Sequence, residues 1–338
     1  MYPKKTCAIL RHPTLREGQT AFARGFLKVL KIIYGDDLYV VDTTKRKILS
    51  KNLFYVFEYM TTASIPCEVL HVLNLNKPLV STLGLLGLKK LVTYQFSYLP
   101  KIHSNWRIKR ALIERGSRLV VGTSRRIAEL FGNGFFTYPP VDVELFKPRD
   151  RRAVRHLLKL PVDKVIIGYV GDVDINRGFD VVARLAAELG GNDVKFLFTY
   201  LRIDTLTREI LSDIKRALRK NALIIRRSAP IWYVYNAVDV LLLPMRNSYP
   251  TEPPATLVEA LASGTPVMGG ASPSMRDYGR LYINLSDNDA YIDIVSNIAT
   301  NKDTLYELSK RCRRFAVKNL SYQVVSQRLD EVLSKWAS

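Results

Sequence analysis

Residues 251–270 read TEPPATLVEALASGTPVMGG, and the fold turns on how this stretch is interpreted. Pro253 and Pro254 can open a helix, where a missing N–H costs nothing, and Gly264 with Pro266 supplies the stop. The spacing therefore predicts one short helix over residues 254–263. The N–H groups of Ala255, Thr256 and Leu257 then point out of the helix start with the positive end of its dipole behind them, which makes an anion site suited to phosphate. Glu259 falls about one and a half turns in. Ahead of this helix, VDVLLLP (238–244) is an apolar run of buried-strand length, and TPVMGG after it reads as a short strand ending in glycines. Strand, loop, helix, strand is a βαβ unit, and ligands of such sheets bind outside the carboxyl ends of the strands.

At 338 residues the chain is long enough for two domains. Its net charge of +20 comes from 51 Lys and Arg against 31 Asp and Glu. The excess is uneven, with net +13 over residues 1–150 and net +7 over the remainder. Such a surface attracts nucleic acid, anionic lipid headgroups or an anionic substrate. The three cysteines, Cys7, Cys67 and Cys312, are widely spaced without a Cys-x-x-Cys pair, and are expected as buried thiols in a reducing compartment. MYPKKTCAILRHP has charge on both sides of a very short apolar run, so no secretory leader is expected. LVSTLGLLGL (79–88) is about half the length a bilayer crossing requires.

Along the chain, CAILRHP reads as a first strand, and Gly18 precedes a helix in which Phe22, Phe26, Leu27, Val29, Leu30, Ile32 and Ile33 are interleaved with Arg24, Lys28 and Lys31. DLYVVDT, LFYVFEY and EVLHVLNL have strand composition, followed by a short apolar helix over residues 77–88 and the strand KKLVTYQF. SNWRIKRALIERGSRLVVGTSRRIAELF holds a basic helix, a strand and a second helix starting at Ser124. Trp106, Arg107, Lys109, Arg110, Arg115, Arg118, Arg125 and Arg126 crowd there, either as a face toward anionic lipid or a phosphate-bearing acceptor, or as a solvated basic surface. Aromatics are not interleaved as a stacking platform, which argues against single-stranded nucleic acid. FFTYPPVDVELFKP (135–148) has the proline content of a linker. Beyond it, KVIIGYVG, DVDINRGFDVVARLAAEL, KFLFTY, DTLTREILSDIKRALRK and ALIIRR continue the alternation of strand and helix. His12, His71, His103 and His156 show no metal-ligand spacing.

Asp239, Leu243, Pro244, Glu259-Ala260, Gly264 and Pro266-Val267 together resemble the signature of glycosyltransferase family four, retaining enzymes of the GT-B fold. The resemblance implies an α/β chain of two Rossmann-like domains facing each other across a cleft. Residues 1–148 would form the acceptor-binding domain and 149–320 the nucleotide-sugar-binding domain, with residues 321–338 a last helix crossing back to the first domain. It also implies that the start of the 254–263 helix holds the donor phosphates and that Glu259 hydrogen-bonds the ribose. The loop at Arg227 and Ser228 is implied to read the base, and Gly18 to meet the acceptor; His12, at the end of the first strand, is the histidine expected to face the cleft on the acceptor side. Gly171-Asp172, four residues, then Arg177-Gly178 resemble the family's Gly-Arg, four residues, Lys-Gly. There Arg177 is implied to neutralise the leaving phosphate with a bidentate fork that lysine lacks.

The chain departs from the family pattern at three places. Asp172 reverses the sign of one phosphate clamp, which permits a donor with a single phosphate or a compensating base at Arg246 or Arg202. Gln95 replaces a histidine at the end of the LVTYQF strand and cannot act as a base at neutral pH. Glu252 and Glu259 have six residues between them instead of seven, so that Thr251 is in strict register. The catalytic candidates are Arg177, Glu252 and Gln95. The resemblance implies no metal or other cofactor, a UDP- or GDP-linked sugar as donor, and front-face transfer of a hexose to a glycan or lipid-linked acceptor, with the leaving phosphate taking the proton. The expected location is cytoplasmic, with peripheral contact of the basic first domain to anionic membrane. A GT-B-fold binding protein without transfer is the other reading, because fold does not guarantee function.

Overall fold

Runs of apolar residues too continuous to alternate faces build two sheets, each of six parallel strands, as expected when helices cover both sides. The computed structural model describes residues 6–10, 17–42, 67–73, 91–200, 202–220, 222–226, 229–249, 251–270, 272–285, 292, 293, 295, 297 and 301–337. Contacts divide the chain into a first unit of residues 1–141, 250–255 and 319–338, and a second unit of residues 142–249 and 256–318. The end of the first stretch, Val141, comes before the linker motif is complete at Pro148.

In the first unit, β1 (Thr6–Leu10) leads to α1 (Glu17–Tyr34), and β2 (Leu38–Asp42), β3 (Val69–Leu73) and β4 (Leu91–Gln95) follow. Next come α2 (Trp106–Gly116), β5 (Ser117–Gly122), α3 (Arg125–Ala128) and β6 (Gly134–Phe136). The strand order is β2-β1-β3-β4-β5-β6. Every residue of β4 is buried. His71 in β3 is fully buried as well, between Tyr34 Oη at 3.1 Å from Nε2 and Tyr94 Oη at 2.9 Å from Nδ1. Burial lowers its pKa to about 3, so the ring is neutral and one tyrosine donates to it while the other accepts.

Two expectations are corrected in this unit. Gly18 does not precede the first helix but lies inside its first turn, since α1 begins at Glu17. The reason is that a glycine at the start of a helix costs little when the following residues carry the apolar stripe. Cys7 and Cys67 are not thiols; they form a disulfide. Parallel pairing of β1 with β3 sets Cys7 opposite Leu70, and Cys67 enters β3 from the same end, with its Cα 6.0 Å from that of Cys7. That pairing joins residues 60 apart in sequence, and no local pattern signals it. Cys312 is free and buried. The expected strand at LFYVFEY and the expected helix over residues 77–88 lie outside the described residues.

The second unit runs α4 (Arg151–Leu157), β7 (Val165–Val170), α5 (Phe179–Leu189), β8 (Val194–Thr199), α6 (Arg208–Arg219), β9 (Leu223–Arg226), α7 (Ile231–Ala237) and β10 (Val240–Leu243). After them come α8 (Ala255–Ala262), β11 (Val267–Gly270), β12 (Ile283–Leu285) and α9 (Lys302–Asn319). The strands lie in the order β12-β11-β10-β7-β8-β9, the order of a dinucleotide-binding sheet, which reverses direction between β7 and β10. Its core joins Ile167, Phe196 and Leu242 of the strands to Phe179, Val182 and Leu185 of α5. At the amino ends of β7 and β10, Asp239 accepts from Arg151 at 2.7 Å, from the buried Arg155 at 2.6 Å and from the Ile166 N–H at 2.7 Å. The final helix, α10 (Tyr322–Ala337), packs against α1 within the first unit.

Candidate functional site

A sheet that reverses its winding between two strands leaves a crevice at their carboxyl ends. In the second unit these ends are Val170, followed by Gly171, and Leu243, followed by Pro244. Both loops are tightly fitted. Gly178 has φ +73° and opens α5; a Cβ there would collide with the Pro244 carbonyl, so only glycine lets the two loops meet. Gly171 has φ +145°, and its missing Cβ leaves room for the Arg177 guanidinium.

Arg177 is 9% exposed and lies over the Tyr249 ring, 5.2 Å from its centroid. Burial works against its charge, but Tyr249, Tyr169, Asp172 and Asp174 outweigh it and hold the pKa above the usual arginine value. Its Nε is buried with no hydrogen-bond partner. Asp172 is 4% exposed. Its Oδ2 accepts from Arg202 at 3.0 Å and stands 3.8 Å from the Arg177 NH2, while its carbonyl accepts from the Tyr169 hydroxyl at 2.6 Å. Asp174 caps the turn that carries Arg177 by accepting from the Asn176 N–H at 2.7 Å.

The helix of the opening motif is observed as α8, Ala255–Ala262. It ends in a Schellman motif: Gly264 has φ +68°, its N–H reaches the Leu261 carbonyl at 3.1 Å, and the Thr265 N–H reaches that of Ala260 at 2.9 Å. At the other end, Ala255, Thr256 and Leu257 form the first turn, whose N–H groups have no carbonyl within the helix to meet. The Thr256 hydroxyl is buried without a partner. Glu259, partly buried, accepts from the Tyr235 hydroxyl at 2.7 Å. Tyr235 is fully buried on α7, and the Thr265 hydroxyl donates to its carbonyl at 2.8 Å. Burial first, then the Glu259 charge, raise the Tyr235 pKa well above its ordinary value, and the positive field of Arg177 opposes them. The hydroxyl is therefore a fixed donor. Arg177, Tyr235 and Glu259 thus share one electrostatic neighbourhood.

Gln95 and Glu252 both belong to the first unit. Gln95 ends β4; its side chain is buried with Nε2 unpartnered, and its carbonyl accepts from the Thr123 N–H and hydroxyl, both at 3.2 Å. Glu252 is fully buried. Its carboxylate is ion-paired with Arg126 and accepts from the Ser124 hydroxyl at 2.9 Å, and Arg126 in turn stacks on the Tyr98 ring, 4.0 Å from the centroid. The Thr123 hydroxyl donates to the Glu252 carbonyl at 2.6 Å, and the Glu252 N–H to that of Phe96 at 3.0 Å. His12, Arg227 and Ser228 lie outside the described residues. Tyr235 and Tyr249 were not singled out from the sequence. For Tyr235 the local signal is an aromatic cluster, WYVYN, whose inward-facing members cannot be told apart by spacing, and Tyr249 lies outside it.

No family model matches the chain. A D-inositol 3-phosphate glycosyltransferase of Mycobacterium bovis is 29% identical over 187 residues, which cover 50% of this chain. The match takes in 38% of that relative, so the chain spans well under half the length of the curated relatives it matches. The solved structure of Anabaena Alr3699/HepE in complex with UDP superposes with a TM-score of 0.80 at 14% identity, over 98% of this chain and 100% of that one. Sucrose-phosphate synthase from Thermosynechococcus elongatus gives 0.75 at 15% identity, over 98% and 99%. The chain has the GT-B fold and is similar to glycosyltransferases of the GT4 type. In this GT4-like chain, the signature residues Glu259 and Gly264 shape α8, whereas Asp239 anchors the arginines at the amino ends of the strands. Among the described residues, no helix is long and apolar enough to cross a membrane.

Proposed function

We propose that the chain is a retaining glycosyltransferase that moves a hexose from a UDP- or GDP-linked sugar to a glycan or lipid-linked acceptor. The observation that carries this reading is the grouping of Arg177, Tyr235 and Glu259 at the reversal point of the second sheet. It is supported by the solved structures of Anabaena Alr3699/HepE in complex with UDP and with UDP-glucose. The donor's ribose hydroxyls would meet the Glu259 carboxylate, already oriented by Tyr235. The diphosphate would lie on the first turn of α8, with Arg177 meeting the charge that grows as the glycosidic bond breaks. Catalysis is then mostly positioning and charge stabilisation, with the departing phosphate accepting the acceptor's proton and no metal taking part.

The same reading places the chain at an anionic membrane face of the cytoplasm. On α2, Arg107, Ala111 and Arg115 are exposed along one side, beside Ile108 at 64% exposure. An apolar side chain between arginines suits a lipid headgroup layer. Sedimentation with vesicles containing anionic lipid, against neutral vesicles, tests this part; equal partition into both overturns it.

Incubating the purified chain with a panel of nucleotide sugars and following release of free nucleotide tests the transfer reading. Release from one donor, abolished by Glu259→Ala, is the expected result. Tight binding without release from any donor, with membrane lipids present, would instead assign the chain as a nucleotide-sugar binding protein.

A further inference from the structure

Exposed apolar side chains are unevenly spread along the chain. Of the twelve large ones among the described residues, five fall between residues 203 and 225: Ile203, Leu206, Leu211, Leu218 and Ile225. Three of these share one edge of the second unit. Leu218 follows Leu211 by two turns of α6, so both lie on the same side of that helix. Lys220, half a turn round from Leu211, donates to the Ala187 and Glu188 carbonyls at the end of α5 at 2.7 and 3.4 Å. That flank therefore faces α5, and the leucine flank faces the other way, toward β9, the outermost strand of the sheet. Ile225 of β9 pairs with Phe198, which packs in the core with Ile210 and Ala217 of α6, so Ile225 projects from the sheet face that α6 covers. It is 44% exposed. Charge follows the same side. Arg208, Lys215 and Arg219 lie within about a quarter turn of Leu211, all exposed, and none forms an ion pair among the described residues. The acids of α6, Glu209 and Asp213, are on the α5 flank, with Asp213 paired to Arg216 at 2.7 Å. Asp204 lies in the loop before the helix, where its N–H donates to the Val173 carbonyl at 2.9 Å.

We propose that this edge of the second unit, α6 with β9, is a contact face for anionic phospholipid. Leu211, Leu218 and Ile225 enter the headgroup layer, and Arg208, Lys215 and Arg219 meet its phosphates. The face is separate from α2 of the first unit and does not depend on the transfer reaction. Apolar side chains gain by leaving water where the partner offers an apolar interior, and the lysine and arginines beside them reach phosphate while their stems cover the same surface. A second copy of this chain, meeting the face isologously, would set the same three cations against these three. Nucleic acid would match the cations and leave the leucines without an apolar partner. An acidic peptide helix docks in a groove, whereas this row stands on the convex flank of a helix.

The test is cosedimentation of the full chain with vesicles of phosphatidylglycerol and phosphatidylcholine in equal parts. Leu211→Ser with Leu218→Ser leaves the net charge at +20 and should weaken partition about tenfold or more, as for two leucines returned to water. Arg208→Gln with Lys215→Gln should weaken it by a similar factor. Arg311→Gln with Lys318→Gln, the same change of charge at exposed positions of α9, should weaken it less than about threefold, because screening confines each cation's reach to about a Debye length. Partition unchanged in the leucine pair overturns the proposal, and its loss in Ile108→Glu instead places the membrane contact on α2 alone. Equal loss in the two charge pairs also overturns it, since the attraction would then belong to net charge. Unchanged vesicle binding in the leucine pair with weaker binding of poly-glutamate reassigns the face to an acidic protein, and a dimer of the parent that the leucine pair dissolves, again with vesicle binding unchanged, reassigns it to a second copy.

Discussion

Tyr235 donates its hydroxyl hydrogen to Glu259 Oε2 across 2.7 Å, from a ring that is fully buried on α7. The bond holds the carboxylate of a residue that sits mid-helix on α8 and so fixes its orientation.

Tyr235→Phe should therefore keep the fold and lower nucleotide affinity about fivefold, the usual worth of one hydrogen bond of about 1 kcal/mol. Calorimetry with UDP and GDP reads this directly. Affinity unchanged from the parent would detach Tyr235 from ligand binding.

Arg177 faces a charge that grows during transfer. Arg177→Ala is expected to lower kcat by about 100-fold or more while raising KM far less, because the interaction strengthens toward the transition state. Steady-state kinetics on the donor found by nucleotide release measures both. An equal loss in binding and rate would make Arg177 an ordinary ligand contact.

The Cys7 to Cys67 disulfide closes a loop of 60 residues in the first unit. Its removal by Cys7→Ser with Cys67→Ser should cost about 2–4 kcal/mol of stability through the freed unfolded chain. Thermal unfolding of parent and variant compares them. Thiol titration in denaturant should find only Cys312 before reduction and all three cysteines after it.

His71 is neutral in the folded chain, with its pKa lowered by burial to about 3 against 6.5 when unfolded. Between these values the unfolded state binds the extra proton. Stability should therefore fall as pH drops below about 6.5, by at most about 1.4 kcal/mol per pH unit, and level off near pH 3. Denaturant midpoints from pH 7 to 4 give the slope. In His71→Gln the slope should flatten by up to one proton, whatever that variant's absolute stability.

The β10, α8, β11 unit was legible because its signals are local. Two prolines, a glycine at the C′ position and an apolar strand on each side act over a few residues, and α8 starts and stops within one residue of the expected bounds. The strand order of the second sheet was not legible, yet it decides which loops meet. Tyr249 reaches Arg177 only because β10 lies beside β7. Asp172 was readable as a change of sign, but not as a link to Arg202, which lies a strand and a loop further on. Glu252 looks like the neighbour of Glu259 in the sequence, whereas its carboxylate is enclosed by Ser124 and Arg126. Spacing along a chain does not report which unit a loop packs into.

That excursion of residues 250–255 into the first unit, together with the return of residues 319–338, means that the backbone passes between units after residues 141, 249, 255 and 318. Neither unit is encoded by an uninterrupted stretch of gene. A fragment ending at residue 141 would lack the α10 helix that covers α1 and the glutamate that neutralises Arg126. Exchange of one unit between related genes by a single crossover would leave one half with a hydrophobic face uncovered and Arg126 without its Glu252 partner.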